Sequence, residues 1–89
     1  MRAIVTVIGK DRVGIIASVC NLLAQYDVNV LDISQTVLQE YFTMIMLVDA
    51  SACTVPFAEL SKKLDADGQE QGLQIRAQRE EVFNAMHRI

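Results

Sequence analysis

Between an apolar strand and an apolar helix the sequence places Gly9, Lys10, Asp11, Arg12 and Gly14, residue types suited to holding a small charged molecule. Backbone N–H groups in the first turn of a helix have no intrahelical partner and carry partial positive charge. A turn that delivers the chain into such a helix can therefore hold a carboxylate or another small anion. Gly9 and Gly14 allow the turn to be tight. The same residues also suit a plain connection that needs glycine for geometry alone.

Other chemistry-bearing residues do not form a recognisable constellation. Cys20 and Cys53 are far apart and make neither a CxxC pair nor a metal set with the lone His87, so no metal and no cofactor is expected. Cys20 falls on the apolar stripe of the first helix, where a thiol behaves as a small hydrophobe, and Cys53 falls near a loop. Two unpatterned cysteines without a signal-peptide pattern fit a reducing, cytoplasmic setting. No nucleophile–base pair is apparent, so no catalytic residue is assigned.

Composition narrows the partners. The chain has 89 residues, 52% of them apolar, with a net charge of −3. That length supports a single domain over residues 1–89 with a small core. The apolar excess suggests that a partner covers some surface, and we expect a homodimer. The acidic balance, with a pI near 4.9, opposes direct nucleic-acid binding, and no apolar run is long enough for a membrane span.

The elements that position the turn follow from periodicity. A strand is expected from Arg2 to Ile8, and then a helix with Ile15, Ile16, Val19, Cys20, Leu22, Leu23 and Tyr26 at helical spacing. Asn29 to Leu38 alternates as a strand with one buried side. Gln39-Glu40 makes a hairpin turn, and Tyr41 to Asp49 reads as a central strand covered on both faces. Thr54 is the expected N-cap of a second helix with Phe57, Leu60 and Leu64 inward, ending at Gly72 as C′. A fourth strand, Leu73 to Arg79, turns Leu73, Ile75 and Ala77 inward. A short last helix lines up Val82, Phe83, Met86 and Ile89. The order βαββαβ predicts an α+β, ferredoxin-like two-layer sandwich, its antiparallel sheet ordered 4-1-3-2, plus a short C-terminal helix.

Four stretches in this order resemble the ACT domain family, in particular its small stand-alone bacterial and archaeal members. They are Val7-Ile-Gly-Lys-Asp-Arg-Val-Gly-Ile-Ile-Ala, Asn29-Val-Leu-Asp-Ile-Ser-Gln-Thr, Tyr41-Phe-Thr-Met and Gln78-Arg-Glu-Glu-Val-Phe-Asn-Ala-Met-His-Arg-Ile. The resemblance implies a non-catalytic regulatory module that binds a small ligand, usually an amino acid, and often dimerises. The ligand would lie between the first strand–helix turn and the start of a neighbour's second strand, which implicates Asp11, Arg12, Val13, Gly14, Ile15 and Asn29. Val13 stands where many members have proline, which implies a less rigid turn.

Physical chemistry fits that assignment. Amides near Gly14 and Ile15 would meet a carboxylate. Asp11 would accept from an ammonium, the Asn29 amide both donates and accepts, and Leu31 would help line a side-chain slot. Simpler roles exist too: Asp11 as a helix cap, and Asn29 in a left-handed turn.

Readings from other classes are weaker. An acylphosphatase-like enzyme would use Arg12 for phosphate and Asn29 or Asn21 for water, but the turn resembles the ACT pattern instead. An RNA-binding sheet needs aromatics on one face, whereas Tyr41 and Phe42 are consecutive and face opposite ways. A docking regulator without ligand, like the regulators of glycine cleavage, would use the same dimer surface.

Overall fold

The computed structural model describes residues 1–86 of the chain. Its elements are β1 (Arg2–Lys10), α1 (Ile15–Gln25), β2 (Asn29–Leu38), β3 (Tyr41–Asp49), α2 (Phe57–Glu70), β4 (Gln74–Arg79) and α3 (Glu80–Met86). All pairings in the sheet are antiparallel and its order is β2-β3-β1-β4, the expected 4-1-3-2 read from the other edge. The expected places of the Met86 side chain, His87 and Ile89 lie outside the described residues and side chains.

The core lies between one sheet face and the two long helices. β1 turns Ala3, Val5 and Val7 toward the helices, opposite Val48, Met46 and Met44 of β3. Ile15, Val19, Leu22 and Leu23 of α1 and Leu60 and Leu64 of α2 close over them. Each of these side chains larger than alanine contributes roughly 1.5–3 kcal/mol through burial. None of the buried side chains among the described residues is polar.

The end of α2 follows from one glycine. Gly72 takes φ 74°, its N–H donates to the Gln69 carbonyl, and the Leu73 N–H donates to the Gly68 carbonyl. These two bonds form a Schellman cap, with Gly72 at C′ as expected. The start of α2 differs from expectation. The cap position is Pro56, with no side-chain cap, and Thr54 instead donates its N–H to the Tyr26 carbonyl. Proline's fixed φ suits a helix entrance without any capping oxygen.

Three further expectations are corrected. β1 runs on through Gly9, which pairs with Phe42, so Gly9 does not make the turn. A Cβ on Gly9 would come within 2.5 Å of Leu73 Cδ2, so its absence lets β1 approach the entry to β4. β3 is central but covered on one face only: Phe42, Met44, Met46 and Val48 are buried, whereas Tyr41 and Ile45 are exposed. A continuous apolar run reads alike whether its second face is covered by helices or left open.

β2 is not half-buried. Only Val30 is partly covered and its other residues are exposed, unlike β4 at the opposite edge, where Ile75 and Ala77 are buried. The alternation also breaks, because the register shifts between Val30 and Asp32 and leaves Leu31 in a bulge. Beyond it Ile33, Gln35 and Val37 lie opposite the core residues Met46, Met44 and Phe42. Asp32, Ser34 and Thr36 take the outer face, opposite Leu47, Ile45 and Thr43.

Candidate functional site

The corner between β1 and α1 is built by three constraints. The Asp11 N–H donates to the Glu40 carbonyl at 2.7 Å, tying the turn to the tip of the β2–β3 hairpin. Gly14 is the cap residue of α1 with φ 90°, a conformation that strains any residue carrying a Cβ. The Gly14 carbonyl then accepts the first helical bond, from the Ser18 N–H at 2.9 Å. No side chain caps α1, so Asp11 is not the helix cap. The first-turn amides of α1 are therefore left without a capping oxygen.

The corner is open. Nothing lies within 4 Å of where a Cβ on Gly14 would sit, and Val13 is 99% exposed. Asp11 is exposed beside them. The Ile15 side chain is in the core at 2% exposure, so only its backbone can face a ligand.

Arg12 reaches across to the end of α2. Its Nη2 donates to Gln71 Oε1 at 3.2 Å, and the Ser18 hydroxyl donates to the same oxygen at 2.6 Å. Gln71 is the C-cap of α2, where helix carbonyls favour a nearby cation. Arg12 thus fastens the entrance of α1 to the exit of α2. Sequence reading missed Gln71 and Ser18; the glycine after Gln71, which marks the helix end, was the available signal.

Asn29 and Leu31 do not join the corner within one chain. Asn29 pairs with Asp49, which pairs with Arg2, whereas the corner follows Lys10, which pairs with Tyr41 beside Leu38. The two ends are roughly 25 Å apart at about 3.3 Å per strand residue. Asn29 opens β2 rather than forming a left-handed turn; Asp27 has that conformation, with φ 56°. Leu31 is exposed at its bulge.

Near Asn29, the Asp49 carboxylate accepts from the Ser51 hydroxyl at 2.6 Å and the Ser51 N–H at 2.9 Å. These bonds hold its pKa below the ordinary carboxylate value. Among the described residues no group of three or more His, Cys, Asp or Glu could hold a metal, and Cys20 and Cys53 are free thiols. No helix among them is long and apolar enough to cross a membrane.

Comparison with known proteins gives the architecture a family. A UPF0237 protein of Clostridium acetobutylicum is 54% identical over 89 residues, covering all of both chains. The structure of an ACT domain protein from Streptococcus pneumoniae superposes with a TM-score of 0.82 at 42% identity, covering 93% of each chain. A glycine cleavage system transcriptional repressor has a TM-score of 0.73 at 24% identity, covering 86% of this chain and 44% of that one. At that identity the last likeness is one of fold. The family model for the ACT domain matches residues 2–78, and the chain belongs to the ACT domain family.

Proposed function

We propose that the chain is a single, non-catalytic regulatory ACT domain over residues 1–89, cytoplasmic, that binds an amino acid between two copies of itself. The observation that carries this reading is the open corner: Gly14 at φ 90°, uncapped amides behind it, and a fully exposed Val13 beside it. A ligand carboxylate accepts from the amides around Ile15, and Asp11 accepts from its ammonium. Val13 lies against the ligand or the second copy, which removes its apolar surface from water. Arg12 contributes by holding the corner in place.

The second copy supplies what one chain lacks. β2 offers ten residues of unpaired strand edge with Leu31, Ile33 and Val37 exposed, a template for another strand. Two β2 edges pairing antiparallel about a two-fold axis run in opposite directions. Asn29 and Leu31 of one copy then come to the Leu38 end of the other, where the Asp11–Gly14 corner projects.

Docking onto another protein without a ligand is the second reading, favoured by the exposed apolar residues Ile8, Tyr41 and Ile45 on the outer sheet face. Thermal-shift screening against the standard amino acids separates the two. Under the ligand reading one amino acid raises the melting temperature, by about 2.7 kcal/mol of added stability at roughly a hundredfold excess over Kd. No shift with any of them favours docking.

A further inference from the structure

The opposite edge of the sheet holds a feature that the corner does not use. A hollow of about 570 Å³ runs over the edge of β4, between α2, the outer sheet face and α3. That volume lies within the usual range for small-molecule sites. Its accessible apolar lining comes from Ile8 and Phe83, with the core residue Ile75 at its margin, and its charged lining from Asp65 of α2 and Arg76 of β4. A smaller adjoining hollow of about 280 Å³ shares Asp65, Ile75 and Arg76 and adds Lys62.

The two charges do not satisfy each other. The ion pairs among the described residues join the N-terminus to Asp49 and Arg2 to Glu80. Arg76 makes no hydrogen bond or ion pair among them. Asp65 accepts only a long bond from Gln69 Nε2, at 3.4 Å. A cation and an anion therefore face one hollow from two elements, with apolar side chains between them.

We propose that this hollow is a second ligand site, which takes a small zwitterion with an apolar body, such as a free α-amino acid. The carboxylate accepts from the Arg76 guanidinium, whose planar fork suits two parallel bonds. The ammonium donates to Asp65, and the apolar body lies on Ile8 and Phe83. The described lining residues all come from one chain, so the site needs no second copy and is independent of the corner.

NMR titration of the ¹⁵N-labelled full chain tests it, with L-leucine as probe. Isocaproate, which lacks the ammonium, and leucinamide, which lacks the carboxylate, serve as controls. Leucine should shift the amides of Asp65, Ile75 and Arg76, in the parent chain and equally in Gly14→Val. Arg76→Gln and Asp65→Asn change exposed side chains, so both variants fold, and each should weaken leucine binding by about tenfold or more. Both controls should bind more weakly than leucine. Unmoved amides at millimolar leucine, unchanged affinity in Arg76→Gln, loss of these shifts in Gly14→Val, or a control binding as tightly as leucine would each overturn the proposal. Loss of corner shifts alone in Gly14→Val would bear on the corner and leave this site standing.

Discussion

The two edges of the sheet differ in chemistry. The β2 edge is apolar and nearly uncharged: Leu31, Ile33 and Val37 are exposed, and Asp32 is its one charge. The β4 edge has Arg76 and Arg79 on a strand of six residues, with α2 and α3 on either side of it. Charged side chains, short length and covering helices keep a strand edge from pairing with other chains, and β2, with ten residues and a single charge, is the less protected edge. One edge is thus suited to a second copy of the chain, the other to a small charged molecule.

The largest expected effect breaks the first half of that contrast. Ile33→Lys with Val37→Lys should convert a dimer to a monomer in multi-angle light scattering, while Gln74→Lys on β4 leaves the mass unchanged. A dimer that survives the β2 changes would point to stacking through the outer face around Ile45 instead. Next in size, Leu64→Ala should cost roughly 2–5 kcal/mol in denaturant unfolding, because Leu64 of α2 is fully buried in the core. A cost below about 1 kcal/mol would mean that the helix layer is looser than described.

Gly14→Val sharpens the contrast at the corner. A β-branched residue at φ 90° costs on the order of 1–3 kcal/mol of stability, and ligand affinity at the corner should be lost. Unchanged affinity there would contradict the corner assignment. Arg12→Ala removes an exposed hydrogen bond to Gln71 and should cost only about 0.5–1.5 kcal/mol.

Asp49→Asn should give the smallest change. Bonds from Ser51 lower the folded-state pKa of Asp49, so its contribution is present above the unfolded value near 3.8 and is lost as pH falls through the folded value. Below that lower value the variant and the parent should be equally stable in acid unfolding; a difference that persists there would contradict the assignment.

Which features were legible in the sequence follows from their range. The helix stripes of α1 and α2 and the Gly72 cap are local patterns, and periodicity or one glycine gives them away. The bulge at Leu31 leaves no compositional mark, so unbroken alternation sets Val30 on the face opposite Ile33, Gln35 and Val37, whereas the register shift brings it to their side. Gly9 reads as a turn residue until Leu73, distant in sequence, is known to pack against it. The corner was legible in its glycine and its exposed polar residues. The orientation of Arg12 was not, because its partner Gln71 ends another helix. The β4 hollow draws Ile8, Asp65, Arg76 and Phe83 from separate elements, and no sequence motif unites them.

The central claim is that a metabolite is held at the corner by two copies of the chain. An NMR titration with the amino acid that raises the melting temperature most, run on the parent and on the Ile33→Lys, Val37→Lys variant, tests it directly. The account predicts that amides of Gly14 to Ala17 and of Asn29 and Leu31 shift together in the parent, and that neither group shifts in the variant. Shifts at the corner alone, or equal shifts in a monomeric variant, would contradict it.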